Sequence, residues 1–311
     1  MNPKKVVIAG AGTMGASLAQ VYALAGWDTV LYNRSESGLQ RAQSLIELNQ
    51  RTLMDEGIVS AEDSAAMYTR IQMSTDKGTF KDAMLVVENI VEKLDAKRAF
   101  WAEISPMAPA EALLATNTSG LHITEIAEAV TGPERFMGQH WLNPPHLLPL
   151  CEIIAGEKTG EEAILKMREL VVGLNKQPVV VKDINGFIIN RIQFAVLREA
   201  LYIVDSGAAT FEDVDTVLKA GMGLRYAALG PFGVADFGGL DTFEHINSYL
   251  NADLCDAKEG NAGLKAMVES GKLGVKSGCG FYDYSGDKAQ KAIQERDRMY
   301  IELAKVLYFK K

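Results

Sequence analysis

Between residues 5 and about 182 the sequence alternates short β-branched runs with amphipathic segments of helical length. The runs are VVIAG, TVLY, MLVVE, ALLAT, LCEII and PVVVK. Strands spaced by helices pair in parallel through right-handed crossovers, so this stretch is expected to build a doubly wound α/β sheet. One connection, 34–70, is longer than a crossover needs. It reads as two helices broken at Gly57, with Ser60 and Asp63 capping the second, and forms a candidate arm on the substrate side.

Beyond Asp183 the strand signal fades, and helical periodicity takes over in GFIINRIQFAVLREALYIVDSG, which ends at Gly207. Further helices are expected over 210–221, 242–254, 263–270 and 288–308. The glycine-rich stretches LGPFGVADFGGLD and LGVKSGCGFYDY divide them. A chain of 311 residues with 48% hydrophobic content has material for two cores. The expected division is an α/β domain over 1–183 and an all-α domain over 184–311, the latter with apolar faces suited to a homodimer.

The net charge of -8, with no clustered Lys/Arg run, argues against a nucleic-acid partner. The longest apolar stretches, such as 108–115, are too short to cross a bilayer, and a cytoplasmic protein is expected. The 3 cysteines form no C-x-x-C pair, and the 4 histidines form no H-E-x-x-H or H-x-H, so no disulfide framework or metal site is indicated. The chemistry must come from an organic cofactor or from side chains alone.

The sharpest local motif is Gly10-Ala11-Gly12-Thr13-Met14-Gly15, which leaves the VVIA strand and opens a helix expected over 17–25. Gly10 permits a tight turn, Gly12 admits a pyrophosphate against the backbone, and Gly15 lets the helix sit close on the sheet. In this strand-turn-helix context the motif points to a dinucleotide on a Rossmann-type domain. After TVLY, where an acid commonly holds the ribose hydroxyls, stands Asn33, followed by Arg34 and Ser35. Asn33 removes repulsion of a 2'-phosphate and Arg34 could bind one, so NAD(H) and NADP(H) both remain open.

A second cluster is GQHWLNPP followed by HLLPLCEII. The prolines turn the chain so that Glu152 could return against His140, fixing its tautomer and leaving the other ring nitrogen to exchange a proton. On spacing alone, a histidine satisfied in a packed turn competes with this reading. Asn117 and Ser119 follow ALLAT at the carboxyl edge of the sheet, where open α/β folds bind ligands, although Ser119 could equally cap a helix. Asn190 opens the long helix of the second domain, a position that asks for an amide partner.

Taken together, GAGTMG, VVENIVEKLDAKRAFW, ATNTSGL, GQHWLNP with Glu152, NGFIINR, GPFGVADFGGLD and GVKSGCGFYDY resemble the L-3-hydroxyacyl-CoA dehydrogenase family over essentially the whole chain. The resemblance implies His140 as acid/base, Glu152 as its partner, and Ser119 and Asn190 as holders of the reacting oxygen and the histidine. It further implies a cofactor site of Gly10, Gly12, Thr13, Met14, Gly15, Asn33, Arg34, Glu92, Lys97 and Asn117. The implied reaction is hydride transfer to or from NAD(P) at C3 of an acyl-CoA, in a cleft between domains of a homodimer. Two features depart from the common pattern. HWLNP stands where HFFNP is usual, and NPPHLLPLCEI followed later by GMGLRYAALGPF resembles relatives acting on free hydroxy acids, such as L-gulonate or carnitine dehydrogenases. The arm segment 54–60 carries Asp55 and Glu56 and no lysine, with only Arg51 and Arg70 to offset them. A dinucleotide-binding protein without turnover, as in the crystallin relatives, is the third reading.

Overall fold

A computed structural model describes residues 4–308. It divides into two compact units, one running to Ile188 and taking in the chain again from Glu295, the other Ile189–Gln294. The division expected from the sequence gave the whole terminal helix to the second unit, whereas its later turns pack on the first.

The first unit is built on one eight-stranded sheet in the order β3-β2-β1-β4-β5-β6-β7-β8. Its elements are β1 (Lys5–Ala9), α1 (Thr13–Leu24), β2 (Asp28–Tyr32), α2 (Glu36–Asp55), α3 (Ala61–Arg70), β3 (Ile71–Ser74), β4 (Leu85–Glu88) and α4 (Leu94–Ile104). There follow β5 (Leu113–Thr116), α5 (Ile123–Ala127), β6 (Phe136–Trp141), β7 (Leu150–Ala155), α6 (Glu161–Gly173) and β8 (Gln177–Lys182). All neighbours pair in parallel except β6 and β7, which run antiparallel. The order reverses between β1 and β4, and the crevice at the carboxyl ends of those strands is where a doubly wound sheet receives its ligand.

Both faces of the sheet are covered, which explains the unbroken apolar runs. Val6, Ile8, Leu31, Leu85, Val87 and Ile153 bury one face against α1 and α6, and Val7, Val30, Val86, Leu114 and Ile154 bury the other. The arm takes the expected form. Gly57 adopts φ 66° between α2 and α3, and the Ser60 hydroxyl accepts the Asp63 amide at 3.0 Å.

Helix α1 begins at Thr13, earlier than the residue 17 expected, because the last residues of the glycine motif already form its first turn. Two strands were not apparent in the sequence. β3 has only four half-exposed residues at the sheet edge, and β6 carries Gly138, Gln139 and His140 through its middle.

The second unit is helical throughout its long elements: α7 (Ile189–Asp205), α8 (Phe211–Val217), α9 (Leu224–Gly238), α10 (Leu240–Leu250) and α11 (Ala262–Glu269), after which α12 (Lys288–Leu307) returns the chain to the first unit. LGPFGVADFGGLD does not form a loop between helices. It is helical within α9 on both sides of a break at Gly230, where φ is 70° and Pro231 removes a backbone donor. Among the described residues no helix is long and apolar enough to cross a membrane.

Candidate active site

The carboxyl edge of the sheet gathers polar residues from five strand ends. At β1, Gly10 takes φ 108°, and a Cβ there would stand 2.6 Å from the Asn89 carbonyl oxygen, so only glycine lets the loop pass this close to the end of β4. A Cβ on Gly15 would meet the Gly10 carbonyl oxygen at 1.8 Å, whereas a Cβ on Gly12 would project into open space. Helix α1 starts there with no side-chain cap and no acid in its first turn, leaving its amides and dipole for an anion. Thr13 and Met14 supply that first turn, Thr13 exposed and Met14 half-buried. This cradle fits the pyrophosphate of a dinucleotide.

Asn33 ends β2 beside the same loop. Its Oδ1 accepts the Ala11 amide at 3.4 Å, and its Nδ2 donates to the Ser35 carbonyl at 3.0 Å and the Ser35 hydroxyl at 3.2 Å. Asn33 therefore braces the glycine loop through its carboxamide, and Arg34 beside it is exposed.

Strands β4, β5 and β6 are tied together by two carboxamides. Asn117 Nδ2 donates to Asn89 Oδ1 at 2.8 Å, and Asn117 Oδ1 accepts the Trp141 amide at 3.1 Å. Below them lies a buried ion pair. Lys97 Nζ stands 2.6 Å from Glu88 Oε1 with both side chains fully buried, while Thr116 Oγ1 donates to Glu88 Oε2 at 2.6 Å and the Ile90 amide to Oε1 at 2.8 Å. Lys97, implied as a cofactor residue, thus has its side chain buried against the Glu88 carboxylate that also holds the 88–92 turn. Glu92 is half-exposed. It lies 3.5 Å from Lys97 and accepts the Ser119 amide at 2.8 Å and the Thr118 hydroxyl, fixing the loop that presents Ser119 to solvent.

His140 and Glu152 are directly opposite in the β6–β7 register. His140 Nδ1 lies 2.8 Å from Glu152 Oε2, each side chain 2% exposed, and the Ile188 amide donates to Glu152 Oε1 at 2.9 Å. Phe187, in the left-handed region at φ 50°, sets its ring 5.4 Å from the imidazole. With Nδ1 engaged, Nε2 is the nitrogen left for a substrate. An ionised Glu152 requires the hydrogen on Nδ1, which leaves the Nε2 lone pair as the acceptor.

Asn190 lies in the second unit, at the start of α7, where its Oδ1 accepts Gln193 Nε2 at 3.0 Å. Sequence reasoning missed Asn89, Thr118, Glu88 and Phe187. The polar pair Glu88-Asn89 ending an apolar strand was the available signal for the first and third, and Phe187 had none. Tyr22 and Trp141 are core: both are buried, and the Tyr22 hydroxyl donates to Gln139 at 3.0 Å.

Comparison with known proteins shows the family to which this fold belongs. Residues 5–184 match the 3-hydroxyacyl-CoA dehydrogenase NAD-binding domain, and residues 186–284 match the 3-hydroxyacyl-CoA dehydrogenase C-terminal domain. The chain is 34% identical to a 5-formyl-3-hydroxy-2-methylpyridine 4-carboxylate 5-dehydrogenase of Mesorhizobium japonicum over 98% of each chain. It is 37% identical to a 3-hydroxybutyryl-CoA dehydrogenase of Bradyrhizobium diazoefficiens, covering 92% of this chain and 97% of that one. A crystal structure of a 5-formyl-3-hydroxy-2-methylpyridine 4-carboxylic acid 5-dehydrogenase, described as an NAD+-dependent dismutase, superposes with a TM-score of 0.91 at 32% identity, covering 99% of this chain and all of that one. The chain belongs to the 3-hydroxyacyl-CoA dehydrogenase family of NAD-dependent oxidoreductases.

Proposed function

We propose that this chain interconverts an L-3-hydroxyacyl-CoA and its 3-oxoacyl-CoA, with His140 and Glu152 as the acid/base pair. The observation that carries the reading is the 2.8 Å contact between two buried, cross-strand side chains at the ligand-binding edge of the sheet. The bound dinucleotide supplies or accepts the hydride. In oxidation His140 Nε2 removes the hydroxyl proton, and in reduction it returns one to the alkoxide oxygen. Glu152 holds the ring in the required tautomer and offsets the imidazolium charge. The Ser119 hydroxyl, on a loop anchored by Glu92, binds the reacting oxygen, and Asn117 holds the ends of β4 and β6 in register around it. The role of Asn190 rests on the family resemblance alone.

A free carboxylic acid as substrate is the second reading, favoured by the arm. Asp55 and Glu56 at its tip would repel the phosphates of coenzyme A. The relative acting on a pyridine carboxylate matches along nearly the full length of both chains. Two further features complete the proposal. Phe232 and Phe237, 87% and 83% exposed on the second unit, suit burial in a homodimer. The unpaired thiols of Cys151, Cys255 and Cys279 suit the cytoplasm.

Steady-state oxidation of NADH and NADPH with acetoacetyl-CoA, free acetoacetate and a formylpyridine carboxylate tests the substrate and the cofactor together. Turnover of the thioester alone supports the first reading, and turnover of a free acid alone replaces it with the second. Unchanged turnover in His140→Gln would remove the histidine from the mechanism. Cofactor binding with no turnover of any carbonyl compound would leave the protein as a silent dinucleotide binder.

A further inference from the structure

The first unit contains a cavity of about 670 Å3 lined by none of the residues placed in the reaction. Its apolar wall comes from the end of α1, the tip of the arm and the end of α6, including Leu24, Leu53, Ile58 and Leu174. Val21 and Leu174 belong to the core on one face of the sheet, whereas His140 packs on Phe187, which belongs to the core on the other. The cavity therefore opens on the face away from the catalytic imidazole.

Three nitrogen-bearing side chains interrupt the apolar wall: His146, Lys176 and Lys305. Lys176 is buried, and its ammonium donates to the Pro145 carbonyl at 2.7 Å and the Leu148 carbonyl at 2.9 Å, leaving one proton uncommitted. Lys305, near the end of α12, donates to the Glu56 carbonyl at 2.7 Å. Among the described residues neither lysine is paired with a carboxylate, and the buried Nδ1 of His146 has no hydrogen-bond partner. Burial and the neighbouring Lys176 and Arg296 press the His146 pKa down to about 3, and burial presses that of Lys176 down to about 8. Lys305 is exposed, and the enclosed charge is that of Lys176, whose burial without a carboxylate partner is costly unless an anion balances it.

We propose that this cavity is a binding site for a small amphipathic carboxylate, whose hydrocarbon body lies against Leu24, Leu53 and Leu174 and whose carboxylate meets Lys176, Lys305 and the Nδ1 hydrogen of a neutral His146. The carbonyls that Lys176 grips belong to the 142–149 connection between β6 and β7, the strands that carry His140 and Glu152. An anion drawing on Lys176 acts directly on that connection, so the site is placed to adjust the catalytic pair.

Calorimetric titration of the whole 311-residue chain with hexanoate, and with hexanamide as the uncharged control, tests the proposal. Hexanoate binds the unaltered protein at least about tenfold more tightly than hexanamide. Lys176→Met and Lys305→Ala each weaken hexanoate by about tenfold or more, and His140→Gln leaves its affinity unchanged. Leu24→Trp, which fills the cavity and leaves both lysines in place, abolishes binding and keeps the assay decisive should Lys176→Met fail to fold. Equal affinity in the unaltered protein and in Lys305→Ala and Leu24→Trp would overturn the proposal. So would loss of binding in His140→Gln, which would place the carboxylate at the catalytic centre, or absence of any heat from hexanoate.

Discussion

Glu152 serves two donors at once, His140 Nδ1 at 2.8 Å through Oε2 and the Ile188 amide at 2.9 Å through Oε1. The same carboxylate thereby orients the imidazole and fastens the end of the 183–188 segment. Glu152→Gln keeps the shape but offers only one accepting atom for the two donors. Turnover is expected to fall roughly 10²- to 10⁴-fold, because the ring loses both its tautomeric restraint and its countercharge. NADH affinity, measured by fluorescence titration, should change little, since the cradle at Gly12 is formed by β1 and α1. Turnover within a few fold of the unaltered enzyme would show that the pair is structural.

The Lys97–Glu88 pair lies wholly out of solvent, so removing one partner strands the other charge. Lys97→Met is expected to lower stability by about 3 to 5 kcal/mol, read as a shift in urea midpoint at constant slope. Glu88 would keep its bonds from Thr116 and Ile90, and pairing Lys97→Met with Glu88→Gln should recover part of the loss. A single substitution costing under about 1 kcal/mol would mean that water reaches Glu88.

How far these relationships could be read from the sequence depended on whether their physics is local. The arm was legible because a break at Gly57 and a cap at Ser60 are set by neighbouring residues. The glycine cradle was legible for the same reason. β6 was not, since both its faces are buried and its polar side chains are satisfied by distant partners: Gln139 by the Tyr22 hydroxyl and His140 by Glu152. Alternation disappears when neither face meets water. The pairing of His140 with Glu152 follows from antiparallel register, which a spacing of twelve residues permits and does not dictate. Lys97 came only from the family resemblance, and its burial could not be read locally, because the Glu88 that makes a buried lysine tolerable stands at the end of a neighbouring strand.

His146 should dominate part of the acid limb of stability. Its folded pKa is depressed to about 3 from an ordinary 6.5, by burial first and then by Lys176 and Arg296. Between those values the unfolded chain holds the extra proton, so stability is lost as pH falls from about 6.5 towards 3. From pH 7 to pH 5 the loss from this residue is about 2 kcal/mol. His146→Leu should remove that slope in urea unfolding at the two pH values. An identical pH dependence in the variant would mean that the imidazole reaches solvent before the protein unfolds.

Gly12 and Gly15 belong to one motif and should fail in opposite ways. A Cβ on Gly15 would collide with the Gly10 carbonyl oxygen at 1.8 Å, a backbone atom that cannot swing aside, so Gly15→Ala must distort the β1–α1 junction and lower the thermal midpoint. A Cβ on Gly12 meets no protein atom within 4 Å, and Gly12→Ala should fold with a nearly unchanged midpoint. The space it fills is the approach to the first turn of α1, whose uncapped amides are the seat proposed for the pyrophosphate. NADH affinity in Gly12→Ala should therefore fall by at least about tenfold while its far-ultraviolet spectrum and midpoint match the unaltered protein. Retained affinity in that folded variant would move the pyrophosphate away from Gly12. A lowered midpoint would instead show that Gly12 is held by contacts within the protein and has the same structural role as Gly15.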